Sequence, residues 1–346
     1  MKKLLCLLCA VLLMLSVTAC TGNNEDSDED ATVSYDWKFA LDEAQGSNQD
    51  VYAQIFKELV EEKSDGRIKL DIYFLGQLGD GSNQGELIQN GAIDLGFMAA
   101  GAAGSMVPES NIFSMHYIFP SDLQKAKQFL IESKTINETI SAAYESKNMH
   151  VIDWMDEGFM QWTTSTNPIT ASDGFKGVKM RVMSAPIITA TYKAYGANPV
   201  AIPFSELYSA LSLNMADGQT NPVEIIEQMK FYEVQNYLTI SNSDLYVASL
   251  IFNKDLWDSL PEDIKGILLE AVEETRPLYA IEQEKMSDSA IDILKENGME
   301  VNELSKEVTD EFRELAKKAV DEFYKVGGDN AEQVYESFIE EVKNYY

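Results

Sequence analysis

Arg181 is the residue of this chain whose type and setting best fit the binding of a small charged molecule. In GFKGVKMRVMSAP (174–186), apolar residues alternate with Lys179 and Arg181, which predicts a strand with its apolar side chains on one face and Arg181 on the other. Ser184 and Pro186 then predict the cap and first turn of a helix. A guanidinium beside a helix N-terminus is a ready site for a carboxylate. An exposed strand charge or a structural ion pair is the plainer interpretation of Arg181 taken alone.

Residues that commonly carry catalysis or hold metals are scarce. The chain has two histidines, His116 and His150, and contains no GxSxG, no HExxH and no histidine–cysteine cluster at metal-ligand spacing. Carboxylate pairs such as Asp156–Glu157 arise freely among 57 acidic residues. We therefore expect no catalytic residue, metal or cofactor. A hydrolase or aldolase that uses carboxylates or Lys179 is the alternative.

The first 20 residues, MKKLLCLLCAVLLMLSVTAC, have the form of a signal peptide, with two lysines, a short apolar run and small residues before Cys20. The small residues resemble a bacterial lipobox, which implies cleavage before Cys20 and acylation of its sulfur; an uncleaved anchor is the alternative. We predict a lipoprotein signal peptide over 1–19 and a solvated acidic tether over 20–32. Cys6 and Cys9 leave with the signal peptide, so the mature chain is expected to have no disulfide and no thiolate metal site.

The chain is strongly acidic, with a formal net charge of −30 at pH 7. Such a charge repels nucleic acids and anionic lipid surfaces, so we expect no nucleic-acid partner. It also means that any anionic ligand needs a local cationic group in order to bind. Arg181 is the candidate for that group.

The hydrophobic pattern alternates between strands and helices. Apolar residues at every second position predict strands around 37–41 and 68–74, with an amphipathic helix over 47–63 between them. A long helical pattern covers 261–297, with Pro277 as an expected kink. Strands that alternate with helices favour parallel sheets covered on both faces, and hence an α/β fold.

Several segments resemble the DctP-type substrate-binding proteins, which are the extracytoplasmic receptors of tripartite ATP-independent periplasmic (TRAP) transporters. In chain order, these segments are EEKSDGRIKLDIYFLGQLG, LIQNGAIDLGFMAAG, WMDEGFMQWTTSTNPITASDGFKGVKMRV, the run from GANPVAIPFSELYSAL to ADGQTNP, and NKDLWDSLPEDIKGILLEAV. The resemblance extends from Trp37 to Phe323. It implies a two-lobed fold like that of periplasmic binding proteins, with a ligand cleft between the lobes and a long helix along both.

The expected lobes are joined by hinge strands. We expect lobe I to contain 33–153 and about 243–290, and lobe II to contain 154–242 and about 291–346. The two lobes are expected to close over a small acidic ligand, so that ligand affinity is linked to closure.

Three residues take expected roles from the resemblance. Arg181 stands where these receptors place a strand arginine against the ligand carboxylate, and its planar fork of donors suits both oxygens. Asn221, in DGQTNP, matches an asparagine that hydrogen-bonds the ligand; a cap for a helix begun by Pro222 is the alternative, and both roles are compatible. Phe204, in PFSELY, lies in a segment used around the cleft, although packing on a helix face fits it equally well.

Further cleft residues are expected after the first-lobe strands and near the hinge. Glu43 follows the first strand, and Ala99 and Gly101 follow LGFM, where ligands bind in such sheets. Asp244 falls where these receptors often have a histidine; it is expected either to meet a cationic ligand group or to lie in a solvated turn, and the solvated turn is slightly favoured. Met160 stands where many relatives have a second arginine, and methionine has no hydrogen-bond donor. We therefore expect a monocarboxylate with an apolar body or an amino group, unless another residue replaces that arginine.

The predicted function is that of an extracytoplasmic solute receptor and not that of an enzyme. We expect a monomer, tethered to the cell membrane by lipid on Cys20, that delivers an organic acid to a small and a large TRAP membrane subunit. One alternative is a lipoprotein that presents an organic acid or amino acid to a sensor kinase. A surface enzyme is the other.

Overall fold

The computed structural model describes residues 34–79 and 81–346. The predicted signal peptide, the acidic tether and Cys20 lie outside these residues. The described chain forms two sheets with helices packed against them, which confirms the α/β class and the two-lobed architecture. None of the described helices has both the length and the apolar character that a membrane span requires.

The described residues contain eleven strands in two sheets. In chain order the strands are β1 (Tyr35–Ala40), β2 (Ile68–Tyr73), β3 (Leu95–Ala99), β4 (Met149–Phe159), β5 (Gln161–Thr164), β6 (Lys179–Val182), β7 (Asn198–Ala201), β8 (Gly218–Asn221), β9 (Tyr237–Ile240), β10 (Leu245–Asn253) and β11 (Glu300–Glu303). The first sheet has the order β2-β1-β3-β10-β4, and the second has the order β11-β9-β5-β8-β6-β7.

Thirteen α-helices occur in the same residues. They are α1 (Asn48–Lys63), α2 (Gly81–Gln89), α3 (Ala100–Ala103), α4 (Leu123–Glu132), α5 (Ser141–Glu145), α6 (Pro186–Ala194), α7 (Leu207–Ser212), α8 (Val223–Gln228), α9 (Lys254–Ser259), α10 (Glu262–Glu296), α11 (Lys306–Ala316), α12 (Val320–Val326) and α13 (Ala331–Val342). Short 3₁₀ turns and one π-helical turn, Thr135–Ile140, connect them.

Each sheet contains one strand that runs against its neighbours, so the sheets are mixed and not parallel throughout. In the first sheet this strand is β10, which is antiparallel to β3 and β4. In the second sheet it is β5, which is antiparallel to β8 and β9. Both strands follow directly from the other sheet, β5 from β4 and β10 from β9. A strand that enters across the cleft begins at the edge where the other strands end, and it therefore runs in the reverse direction.

The long helix α10 connects the cores of the two lobes. Its first half packs Leu268 and Tyr279 into the core of the first sheet, and its second half packs Ala290 and Leu294 into the core of the second. It contacts α1 in one lobe and α8 in the other. The helix continues through Pro277. This arrangement confirms the predicted long helix along both lobes.

The C-terminal segment returns to the first lobe, which differs from the predicted division at about residue 291. β11 pairs with β9 and so belongs to the second sheet. Phe338, on α13, instead packs edge-on against Phe129 with ring centroids 4.9 Å apart. Glu341 accepts a hydrogen bond from the Ser133 hydroxyl at 2.6 Å. Phe323 and Phe338 thus complete the core of lobe I, whereas Phe312, on α11, packs in a core of lobe II.

Candidate functional site

A cavity of about 280 Å³ lies between the two sheets. The loops after β1, β2 and β3 border it on one side, and the loops after β6 and β7 and the end of β8 border it on the other, so the carboxyl ends of parallel strands face it from both lobes. The volume is close to the lower end of the range for ligand pockets, about 300–1,000 Å³. The described lining residues are Asp42, Glu43, Leu75, Gly81, Ser82, Asn83, Ala99, Ala102, Ser105, Arg181, Met183, Ser184, Ile202, Pro203, Phe204, Asn221 and Tyr246.

Arg181 lies on β6 and presents its guanidinium to the cavity from the second lobe. Its Nε donates a hydrogen bond to the carbonyl of Ile202 at 2.9 Å, and its Cζ lies 5.9 Å from the centroid of the Phe204 ring. The parallel pairing of β6 with β7 sets Arg181 beside Val200, and so places Ile202 and Phe204 just beyond the guanidinium. Among the described residues, nothing accepts a hydrogen bond from its two terminal amino groups.

The charge of Arg181 has no counter-ion, since no carboxylate of the described residues lies at ion-pair distance. The side chain is buried, and burial lowers the pKa of the guanidinium to about 10, so the group stays charged at neutral pH. A buried charge without a partner is unfavourable. An anionic ligand group would supply the missing partner.

Glu43 brings a carboxyl group to the cavity from the first lobe, in the loop after β1. The carboxyl of Glu157, the hydroxyl of Ser47 and the backbone N–H of Gln49 lie near its carboxyl and act to lower its pKa, but its Oε2 meets no donor among the described residues. Burial raises the pKa of Glu43 to about 7. The cavity therefore presents a guanidinium from one lobe and an acid that ionises near neutrality from the other.

Asn221 is the last residue of β8, and it lines the cavity. Its side-chain amide donates a hydrogen bond to Oε1 of Gln219. The alternative role of Asn221 as a helix cap is wrong, because Pro222 occupies the cap position of α8. The strand pairing of β8 with β5 thus holds Asn221 at the edge of the cavity.

Aromatic rings border the cavity beside the charged groups. Phe204 opens a 3₁₀ turn, Phe204–Glu206, and its ring lies next to Arg181. Tyr246, at the start of β10, also lines the cavity and was not among the residues predicted from the sequence. Its position two residues after Asp244, where the chain re-enters the first sheet, is the signal that could have identified it.

The first turn of α2 also reaches the cavity, through Ser82 and Asn83. The helix begins at Gly81, inside the glycine-rich sequence LGQLGDGSNQG, whose composition is typical of a loop. Ser82 and Asn83 were therefore not among the predicted cleft residues. On the other side, Ser184 lines the cavity and is not the cap of α6, whose cap position is taken by Ala185.

Three of the predicted cleft residues border a neighbouring space of only about 10 Å³, which shares Ala99, Met183 and Tyr246 with the cavity. They are Met160, Gly101 and Asp244, and none of the three borders the cavity itself. Ala99 lines both spaces. The structure thus brings together Arg181, Asn221, Phe204, Glu43 and Ala99 at the cavity.

Met160 is the one residue between β4 and β5, where the chain crosses from the first sheet to the second. Its N–H donates to the carbonyl of Asp244 at 2.8 Å, and its carbonyl accepts from the N–H of Ser243 at 3.2 Å. The side chain is buried in the core of the first sheet. These hydrogen bonds join the two strand crossings, so Met160 and Asp244 lie at the hinge.

Asp244 is buried, so its interpretation as a solvated turn residue is wrong. Its Oδ1 lies 3.6 Å from Nε2 of His116 and accepts a hydrogen bond from Ser243 at 2.6 Å. His116 in turn contacts the hydroxyl of Tyr195 at 3.0 Å. Burial raises the pKa of Asp244 and lowers that of His116. The two strand crossings bury this polar cluster, which the polar sequence SNSD does not reveal.

Gly101 marks a close approach of the two lobes. A Cβ atom at this position would lie 2.7 Å from Cε of Met183, which follows β6 in the second lobe. A second contact joins the lobes where the side chain of Gln228 donates a hydrogen bond to the carbonyl of Gln45 at 3.0 Å. The cavity is thus bordered by lobes in direct contact.

Metal ligation finds no support in the described chain, where no group of three or more histidine, cysteine, aspartate or glutamate residues could hold an ion. The buried acids at or beside the cavity include Asp42, Glu43, Asp156, Glu157 and Glu224. They come from the loop after β1, from β4 and from α8.

Comparison with known proteins gives a consistent result. The family described as bacterial extracellular solute-binding protein, family 7 (DctP), matches residues 39–326. The chain is 31% identical to the ectoine-binding periplasmic protein TeaA of Halomonas elongata, over 81% of this chain and 87% of TeaA. It is 32% identical to the ectoine/5-hydroxyectoine-binding periplasmic protein UehA of Ruegeria pomeroyi, over 74% of each chain.

A solved structure shows the same fold over nearly the full length. It is a TRAP periplasmic solute-binding protein from Desulfovibrio salexigens with bound orotic acid. The TM-score is 0.86 at 28% identity, and the match covers 90% of this chain and all of that one (100%).

Proposed function

The chain belongs to the bacterial extracellular solute-binding proteins of family 7, the DctP-type receptors of TRAP transporters, and from that premise we propose that it binds a small organic acid through Arg181. The proposed receptor delivers this ligand to a small and a large TRAP membrane subunit. Ligand binding stabilises the closed arrangement of the lobes, and the closed form docks on the membrane subunits.

The observation that carries the proposal is the state of the Arg181 guanidinium. It is buried, charged at neutral pH and without a counter-ion among the described residues, and it lines a cavity of metabolite size. Its Nε is held by Ile202, so its two terminal amino groups are left to bind both oxygens of a carboxylate. A surface salt-bridge role for Arg181 is not consistent with these features.

An acid on the wall opposite Arg181 favours a ligand that also carries a positive charge. Glu43 approaches from the lobe opposite Arg181, and its Oε2 has no donor among the described residues. A zwitterion could pair its carboxylate with Arg181 and its cationic nitrogen with Glu43. Ectoine, after which two of the relatives are named, has this chemistry, since it combines a carboxylate with a protonated cyclic amidine.

Dicarboxylates and sugar acids fit the cavity less well. Arg181 is the one cationic side chain among the described lining residues, so a second carboxylate would lie without a counter-ion and near Glu43. Met160 offers no donor near the hinge, and desolvating hydroxyl groups without partners is costly. The proposed ligand is therefore a monocarboxylate with a compact body and a cationic nitrogen.

A thermal-shift screen tests this proposal. Zwitterions such as ectoine should raise the melting temperature most, followed by simple monocarboxylates, because a ligand that binds only the folded state stabilises it in proportion to ln(1 + [L]/Kd). Dicarboxylates and sugar acids at equal concentration should give smaller shifts. If a dicarboxylate or a sugar acid raises the melting temperature most, the proposed ligand class is refuted.

We further propose that lipid on Cys20 tethers the receptor to the outer face of the cell membrane. The support is the small-residue sequence before Cys20 and the acidic stretch after it. Replacing Cys20 by serine should release the protein from membranes, whereas the unchanged protein should partition into detergent. Retention of the Cys20→Ser protein with an uncleaved signal would show that the apolar run is the anchor.

A further inference from the structure

Glu157 is a buried acid next to the cavity that receives no hydrogen bond from a described protein donor. It lies on β4 with none of its surface exposed, and neither of its carboxyl oxygens meets an N–H or O–H group of the described residues. Its neighbour in sequence, Asp156, is different. Asp156 lies 3.7 Å from Nζ of Lys127 and accepts a hydrogen bond from the N–H of Gly158 at 3.1 Å. Of these two adjacent acids on β4, Asp156 therefore has a cation and a hydrogen-bond donor beside it, whereas Glu157 has neither among the described donors.

The group that Glu157 meets is the carboxyl of Glu43. Two carboxylates cannot donate to each other, so a hydrogen bond between Glu157 and Glu43 requires a proton on one of them. Two ionised carboxylates in contact within the protein would also repel each other strongly. The contact therefore implies a proton held between them.

The surrounding charges decide which acid keeps that proton. The titratable and charged groups that face the pair from the neighbouring elements are Asp42, Lys127, Asp156, Arg181, Glu224, Tyr246 and Tyr279. Lys127 is paired with Asp156, and Arg181 lies across the cavity. Burial and the nearby charges of Glu43, Glu224 and Asp156 raise the pKa of Glu157 well above its usual value. Glu43 reaches the cavity, and the neighbouring Ser47 hydroxyl and Gln49 N–H act to lower its pKa. Glu43 is therefore the acid of the pair that ionises first.

We propose that Glu157 is a neutral acid whose carboxyl O–H donates a hydrogen bond to Glu43, and that a cationic ligand group binds only after Glu43 has released its own proton. This inference rests on the proposed zwitterionic ligand. It makes Glu157 a positioning residue, because it acts on the ligand through Glu43. It also makes ligand binding release a proton from Glu43 to solvent when the pH lies below the titration of that group.

The sign of the pH dependence follows from this proton release. Burial raises the pKa of Glu43 to about 7, so in the empty cavity Glu43 is mostly protonated at pH 6 and mostly ionised at pH 8. The complex holds fewer protons than the empty protein at pH 6, so affinity rises with pH. For complete ionisation in the complex, affinity for a cationic ligand should be about tenfold higher at pH 8 than at pH 6.

The test measures ectoine binding by calorimetry from pH 6 to pH 9, in buffers of different ionisation enthalpy so that released protons are counted. We expect affinity to rise about tenfold between pH 6 and pH 8, with proton release at pH 6 that disappears at pH 8. Glu157→Leu removes the donor and should move the midpoint of this rise to higher pH. Glu157→Gln restores a donor without an ionisable group and should return the midpoint towards that of the unchanged protein. Glu262→Gln, on the exposed first turn of α10, is the control and should change neither affinity nor midpoint.

Three results would count against the inference in distinguishable ways. If ectoine fails to bind at any pH, the proposed zwitterionic ligand is wrong and this inference falls with it. If ectoine binds with an affinity that is flat from pH 6 to pH 8, the proposed ligand stands and the proton-linked role of the acid pair is refuted. If Glu157→Gln lowers the midpoint well below that of the unchanged protein, Glu157 is ionised and not a neutral donor.

An infrared comparison tests the neutral acid without any ligand. At pH 8 the spectrum of the unchanged protein should contain a protonated carboxyl band that Glu157→Gln lacks. Identical spectra in the carboxylic-acid region would contradict a proton on Glu157.

Discussion

Replacing Arg181 by lysine should weaken ligand binding by roughly ten- to a hundredfold, while the stability of the empty protein changes little. The substitution keeps the positive charge but loses the planar fork of donors. A hydrogen bond to a charged group contributes about 1.5–3 kcal/mol, which corresponds to this range of affinity. Lysine also has no Nε donor for the carbonyl of Ile202, so nothing fixes its direction.

Isothermal calorimetry with ectoine or the best ligand from the thermal-shift screen measures the effect. Arg67→Lys is the matched control, because Arg67 pairs at 3.0 Å with Asp263 on the surface, away from the cavity residues. Its affinity should equal that of the unchanged protein. Unchanged affinity of Arg181→Lys would refute the carboxylate-fork role, and unfolding of that variant would show that Arg181 serves the fold.

Replacing Arg276 by methionine should lower the free energy of unfolding by about 3–5 kcal/mol. Arg276 lies on α10, and its Nη2 and Nε donate to Oδ1 of Asp153 at 2.5 Å and 2.8 Å. The hydroxyl of Tyr52, on α1, donates to the other oxygen of Asp153. The triad ties the long helix to the first sheet, and removing the arginine leaves a buried carboxylate without its cation.

Urea unfolding followed by circular dichroism measures this loss. Burial raises the pKa of Asp153 and Arg276 lowers it, so without Arg276 the acid should bind a proton more readily in the folded state. The loss should therefore be larger at pH 8 than at pH 5. Without Arg276 the acid has a higher pKa in the folded state than in the unfolded state, so the free energy of unfolding falls as the pH rises. Arg67→Met, which breaks a surface pair, should cost less than about 1 kcal/mol. Equal losses for the two variants would contradict the stabilising role of the buried triad.

Local signals in the sequence predicted the individual elements well. The helix predicted over 47–63 is found as Asn48–Lys63, and the hydroxyl of Ser47 caps it by accepting from the N–H of Asp50. The strand that carries Arg181 is found at Lys179–Val182. Capping residues and apolar periods act over a few neighbouring positions, so one sequence contains that information.

Features that depend on contacts distant in sequence were not predictable in the same way. The reversed directions of β5 and β10 follow from the crossings between sheets and leave no mark in the period of the strands. Asp156 and Glu157 look alike in the sequence, yet Lys127 reaches only the first of them. Asp244 stands in a polar segment but is buried by the hinge and by His116. Sequence position indicated the cavity wall, while tertiary contacts decide the charge state of each acid on it.

Native mass spectrometry of the protein as purified from its source tests directly whether Arg181 holds a monocarboxylate ligand. We expect one bound small molecule whose mass and fragmentation show a monocarboxylate with a cationic nitrogen, and Arg181→Lys should lose it under identical conditions. A bound dicarboxylate or sugar acid would contradict the proposed ligand class, and a ligand retained equally by the Arg181→Lys protein would contradict binding through Arg181.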